Sequence, residues 1–152
     1  MIQIVTQGKY SFVKTFKLCI FIKNINPVCI MATNAKNIII FDDDDDILSI
    51  CTYILEEQGW QVHTFGDCND IINKVSGINP DVILMDNWIP DVGGITATRT
   101  LKSSDELRHI PVIYFSANND IQILASNAGA DNFLAKPFDI GELEKVIGSV
   151  LA

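Results

Sequence analysis

The chain has 152 residues, 48% of them hydrophobic and 20% charged, which allows one ordinary domain with a sizeable core and fits a soluble globular protein. The formal charge of -8 is unevenly spread: the first 36 residues carry Lys9, Lys14, Lys17, Lys23 and Lys36 and no acid, while all 19 acids lie at or beyond Asp42. An acidic body lacks the cations that neutralise phosphates, which argues against direct binding of nucleic acid, and no stretch reaches the roughly 18 apolar residues of a membrane-spanning helix.

Residues 1–36 differ in character from the rest. Leu18–Ile22 is apolar but is cut by Lys23, too short for the apolar region of about 7–15 residues that a secretory signal needs. Met31, followed by ATNAKN and a strand, resembles a natural start. The segment reads as an N-terminal extension, either a misassigned start outside the functional protein or a poorly ordered tail. Cys19, Cys29, Cys51 and Cys68 form no CxxC pair and no zinc-like spacing, so a reducing cytoplasm is expected.

From Asn37 onward, strand and helix signals alternate. NIIIF is a continuous apolar strand, and Asp46–Glu57 is a helix with Ile47, Leu48, Cys51, Ile54 and Leu55 on one face, stopped by Gly59. WQVHTF is less uniformly apolar, as suits an edge strand. A helix near Asp67–Ser76 follows, then a turn Gly77-Ile78-Asn79-Pro80 and the strand DVILM. A loop through Pro90 leads to a helix from about Gly94 to Lys102 with Ile95, Thr98 and Leu101 inward. Pro111 opens the strand VIYF, a short helix covers roughly Asn119–Asn127, and Gly129 caps it. Asn132–Ala135 is the fifth strand. The last helix, Asp139–Val150, has Ile140, Leu143, Val146, Ile147 and Val150 on one face, with Asp139 and Glu142 spaced for a capping box. This order implies an α/β fold: a doubly wound five-stranded parallel sheet, (βα)5, with helices on both faces.

Polar residues stand where strands run out: Asp42-Asp43 after IIIF, Asp86 after VILM, Ser116 after VIYF and Lys136 after NFLA. In a doubly wound sheet these carboxyl ends share one rim, where ligands bind. Five consecutive aspartates, Asp42–Asp46, repel one another, and a helix N-terminus accounts for only the last two or three. The run can be a solvated acidic loop, or its first members can hold a hard cation such as Mg2+. Asp86 can act as a nucleophile toward phosphorus. No GxxxxGK[ST] occurs, which closes the P-loop route. Gly93-Gly94 is read as backbone geometry, and His63 and His109, lacking partners at ligand spacing, as structural or exposed.

FDDDDDIL, DVILMDNWIPDVGG, PVIYFSA and ADNFLAKPF resemble, in order and spacing, the four signatures of the response-regulator receiver domain of two-component signalling. The resemblance covers about Asn37 to Leu151 and sets the domain at residues 37–152. It implies a flavodoxin-like sheet of strand order 2-1-3-4-5. It further implies that Asp86 accepts a phosphoryl group from phosphohistidine on a sensor histidine kinase or histidine phosphotransfer protein. Mg2+ would be held by Asp43, by Asp42 through water, by Asp86 and by the backbone carbonyl of Trp88. Lys136 would balance the acyl phosphate charge, Ser116 would bond a phosphoryl oxygen, and Phe133 would be the aromatic switch. The pentad leaves the register of the metal pair open by one residue.

Ser116 stands where threonine is commoner in that family, and Phe133 where tyrosine is frequent. By the same resemblance, Trp88 and Asn118, each two residues beyond a site residue, would flank the route of attacking water. The chain ends after the fifth helix, which suggests a stand-alone receiver, a monomer or phosphorylation-dependent dimer, whose output is a changed surface around the fourth helix, fifth strand and fifth helix. A rival is a haloacid-dehalogenase-like phosphatase with Asp42 as nucleophile and Asp44 as general acid. It leaves DVILMDNWIPDVGG unexplained. A silent receiver-like scaffold is a third possibility.

Overall fold

The computed structural model describes residues 17–19, 29–31 and 35–152. Two short strands, β1 (Lys17–Cys19) and β2 (Cys29–Met31), pair antiparallel with Lys17 opposite Met31. They belong to a compact unit, Met1–Ala35, separate from the unit Lys36–Ala152. The reading of residues 1–36 as an extension falls for the most part outside the described residues.

The second unit is a regular alternation of β3 (Asn37–Phe41), α1 (Asp45–Glu57), β4 (Gln61–Phe65), α2 (Ile71–Ile78), β5 (Val82–Asp86), α3 (Gly94–Ser103), β6 (Val112–Ser116), α4 (Ile121–Ala128), β7 (Asn132–Ala135) and α5 (Ile140–Val150). The five strands form one parallel sheet in the order β4-β3-β5-β6-β7. Counting only these strands, that is 2-1-3-4-5, the flavodoxin-like arrangement the sequence suggested. β3, β5 and β6 lie inside the sheet, and their stretches Ile38–Phe41, Val82–Met85 and Val112–Phe115 are apolar without interruption, because helices cover both of their faces. QVHTF of β4 is mixed because it is an edge with half-buried and exposed positions.

Strand alternation sorts the core into two layers. Ile39, Phe41, Ile83, Met85, Val112 and Tyr114 face α2, α3 and α4, packing on Ile71, Val75, Ala97, Leu101, Ile121 and Ala125. Ile38, Ile40, Val82, Leu84, Ile113, Phe115 and Leu134 face α1 and α5, packing on Leu48, Cys51, Leu55, Leu143 and Ile147. Cys51 and Cys68 are free and buried, and burial pushes their thiols up to about 11 and about 12, so they serve as small hydrophobes.

Three local expectations need correction. The second helix starts at Ile71, four residues after Asp67, because Asp67 accepts from the Asn69 amide in an Asx turn and Asp70 is left-handed (φ 54°). It also continues through Gly77 to Ile78 and ends at left-handed Asn79 (φ 52°), so Gly77 lies inside a helix rather than in a turn. Ile140, on the apolar stripe of α5, is 50% exposed, since it sits in the first turn, while Leu143 and Ile147 are buried. The Asp139–Glu142 capping box is formed, with both reciprocal bonds present.

Candidate functional site

The alternation that builds the core also builds the site. Asp42 continues the series Ile38, Ile40; Asp86 continues Val82, Leu84; Lys136 follows Leu134 at the same spacing. All three therefore leave their strands on the α1/α5 side of the sheet, at its carboxyl end. Lys136 Nζ lies 2.6 Å from Asp42 Oδ2 and 2.7 Å from Asp86 Oδ1, bridging two carboxylates that are 1% and 5% exposed. The ammonium also sits 4.3 Å from the centre of the Phe115 ring, a cation–π contact from the strand between. The Lys136–Pro137 peptide is cis.

The five aspartates divide by position. Asp42 is buried, with its amide still bonded to Phe65 O at 3.1 Å and its Oδ1 accepting from the Asp44 amide at 2.9 Å. Asp43 is exposed and offers an oxygen to a group of three carboxylates, Asp42, Asp43 and Asp86, whose ligand atoms lie within 4.8 Å of one another. Asp44 is the N-cap of α1, accepting from the amides of Asp46 and Ile47. Asp45 and Asp46 occupy the first turn, where the helix dipole favours anions. Asp44 thus serves the helix through Oδ1, the same carboxyl that the phosphatase reading takes as general acid.

The electrostatics are those of too many anions for one cation. Burial pushes the Asp42 carboxyl above its usual range, and the bonds from Lys136 and the Asp44 amide offset this only in part. Burial alone would lower the Lys136 ammonium, but its two carboxylate partners outweigh it and hold the group above its ordinary value. Both directions follow from one cause: Lys136 is well served by two acids, whereas Asp42 has half a cation in a dry place. A site of three carboxylates with one shared ammonium suits a hard divalent cation with oxygen ligands.

The other expected residues are near but differently disposed. The Trp88 amide donates to Asp86 Oδ2, and the Trp88 side chain is 76% exposed. Ser116 is buried, and its Oγ accepts from the Asn118 amide at 3.2 Å. By alternation after Val112 and Tyr114 it belongs to the opposite face from Asp42, Asp86 and Lys136. Phe133 is half-buried on that same face and is the register partner of Tyr114. His63 is half-buried, with Nε2 3.4 Å from Asn37 Oδ1, and His109 is exposed. Neither joins the carboxylate cluster among the described residues.

Tyr114 escaped sequence reasoning, and Gly94 was read as backbone geometry without its partner. Tyr114, on the inner strand β6, donates its hydroxyl to Asn87 Oδ1 at 2.6 Å, beside Asp86. The available signal was a tyrosine two residues before Ser116, hence on the same face. Gly94 opens α3 so close to the end of β5 that a Cβ there would overlap the Asp86 carbonyl.

The model of the response regulator receiver domain family matches residues 38–148, and the chain belongs to that family. It is 33% identical over 107 residues to the CAI-1 autoinducer sensor kinase/phosphatase CqsS of Vibrio cholerae, covering 68% of this chain and 16% of that protein. Among solved structures, a putative response regulator from Chloroflexus aurantiacus superposes with a TM-score of 0.73 at 25% identity, over 78% of this chain and 98% of that one. The receiver domain of sensor histidine kinase PA1611 from Pseudomonas aeruginosa, with a magnesium ion coordinated in its active site cleft, gives 0.71 at 26% identity, over 77% and 98%. The chain spans between 16% and 49% of the length of the first curated relatives it matches. No helix among the described residues is long and apolar enough to cross a membrane.

Proposed function

We propose that this chain is a phosphorylation-driven switch in a two-component or phosphorelay pathway, with Asp86 as the phosphoryl acceptor. The observation that carries the proposal is the bridge of Lys136 between buried Asp42 and Asp86, inside a cluster of three carboxylates. A carboxylate oxygen of Asp86 attacks the phosphorus of a phosphohistidine. The P–N bond breaks, an acyl phosphate forms on Asp86, and the leaving imidazole regains its proton from the medium. Lys136 already touches Asp86 Oδ1 and stays beside the oxygen that gains the phosphoryl group, offsetting its charge. Asp42, Asp43, Asp86 and the Trp88 carbonyl are the groups that would hold Mg2+, which when bound screens the anionic donor from the carboxylates.

Ser116 and Phe133 lie on the opposite face of the sheet, toward α4, and are assigned the readout. The Ser116 hydroxyl turns toward a phosphoryl oxygen, and Phe133 follows it inward. The partner is a sensor histidine kinase or histidine phosphotransfer protein, a reading supported by the sensor-kinase receivers this chain resembles.

The test is incubation of the full chain with acetyl phosphate and Mg2+, followed by intact mass. The expected result is a gain of one phosphoryl group that is lost in Asp86→Asn. Continuous turnover of a phosphate ester that depends on Asp42, with no stable mass gain, would instead mark a hydrolase.

A further inference from the structure

The Asp86–Trp88 segment is held by two neighbours. α3 presses against its backbone: the Gly94 amide donates to Asn87 O at 3.2 Å, and a Cβ on Gly94 would come within 3.2 Å of Asn87 Cα. From β6, the Tyr114 hydroxyl reaches the Asn87 side chain, at 2.6 Å from Oδ1. The Tyr114 ring is fully buried in the core layer beneath α2, α3 and α4, so the hydroxyl arrives from a packed support. Tyr114 also stands between the two halves of the site. Its bond goes to the residue after Asp86, while Ser116 and Phe133 are its neighbours along and across the sheet on its own face. Phe133 has no hydroxyl of its own to offer.

We propose that the Tyr114 hydroxyl is a positioning group for the phosphoryl-accepting segment, fixing Asn87 and through it the Asp86–Trp88 backbone, and coupling that segment to the face that carries Ser116 and Phe133. The proposal rests on Asp86 as acceptor. Burial, with the charge of Asp86 adding to it, pushes the phenol up to about 12, so it keeps its proton for donation to Asn87 Oδ1 throughout the working pH range. Tyr114 touches neither the donor nor the carboxylates. Its effect is on where Asp86 and the Trp88 backbone sit.

The test uses the full chain in a Trp60→Phe background, which leaves Trp88 as the one fluorophore of its kind, since the chain has two tryptophans. Tyr114→Phe keeps the ring and removes only the hydroxyl; Asn87→Ala removes the acceptor; the double variant removes both. Three readouts are taken: the unfolding midpoint, the Mg2+ midpoint from Trp88 fluorescence, and the rate of mass gain against acetyl phosphate concentration. Tyr114→Phe is expected to raise the Mg2+ midpoint or lower the maximal rate about threefold to tenfold, the scale of one lost hydrogen bond. Asn87→Ala should match it, and the double variant should be no worse than either single variant.

Parent values of both quantities in Tyr114→Phe, with only the unfolding midpoint lowered, would overturn the proposal. So would single effects that multiply in the double variant. A parent that gains no mass would sink the acceptor reading itself, and the Mg2+ midpoints would still decide the role of Tyr114. Should Tyr114→Phe fail to fold, half-buried Asn87→Ala carries the same comparison against the parent.

Discussion

Replacing Gly94 by alanine sets two physical effects of opposite sign against each other. In a helix interior, glycine to alanine stabilises by about 1 kcal/mol, and by less in the first turn, so propensity alone predicts a gain. The packing at Gly94 predicts a loss. An added Cβ would overlap the Asp86 carbonyl oxygen, and would lie 2.9 Å from the Asp86 carbonyl carbon and 3.2 Å from Asn87 Cα. Carbon pairs prefer separations of about 3.5–4.0 Å, and the oxygen overlap is the more severe contact, so α3 and the end of β5 would have to part by roughly an ångström or more. The neighbours are backbone at the end of an inner strand, with no flexible side chain to swing aside. Overpacking of this kind costs about 1–3 kcal/mol, and contact with backbone places Gly94→Ala at the upper end. A net loss of about 2 kcal/mol corresponds to a fall of about 8 °C in the unfolding midpoint for a domain near this size. Thermal and urea unfolding of the full chain measure it. Because the contact is with Asp86 itself, Mg2+ binding should weaken in the same variant. A Gly94→Ala protein as stable as the parent would refute the close approach.

Asp42→Asn removes a carboxylate that burial keeps above its ordinary pKa of 3.8, so ionising it costs stability as pH rises from 3.8 through its folded value. Without Mg2+, the variant should therefore gain stability relative to the parent as pH rises above 3.8; a variant that loses ground on that rise would contradict a burial-dominated Asp42. Lys136→Met leaves two buried carboxylates without their shared cation, which should cost about 3–5 kcal/mol near neutral pH and less in acid, as Asp42 takes up a proton. The raised ammonium works in the same direction at higher pH: the parent keeps its contribution below 10.5 and loses it as pH climbs through the folded value, a loss absent from Lys136→Met in alkaline unfolding curves. Trp88→Asn replaces an exposed ring beside Asp86 with a small polar side chain. The half-life of the phosphorylated form should shorten, and an unchanged half-life would free Trp88 of any role in shielding Asp86 from water.

Much of the fold was legible because buried parallel strands have a distinctive pattern. IIIF, VILM and VIYF are apolar at every position, which only burial on both faces explains, and the polar residue after each run marks the rim. Helix boundaries were less legible where side chains compete with the backbone. Asp67 forms an Asx turn and Asp70 adopts a left-handed conformation, delaying α2 to Ile71, and neither choice shows in hydrophobic periodicity.

The sequence by itself determined which residues stand at the ends of the strands, because each apolar run stops at one of them. That Asp42, Asp86 and Lys136 share one face and Ser116 the other came from the packing, since strands apolar on both faces carry no mark of which helix layer each face meets. Only the tertiary structure decided which of five aspartates does what. Asp42 bridges to Lys136 from 94 residues away, Asp43 joins the carboxylate cluster, and Asp44 is spent on the helix N-cap. The same holds for Tyr114, whose hydroxyl meets Asn87 across neighbouring strands, and for Gly94, whose lack of a side chain matters only because Asp86 lies against it. Local pattern sets the direction of a side chain, while the partner it meets depends on how separate strands and helices pack.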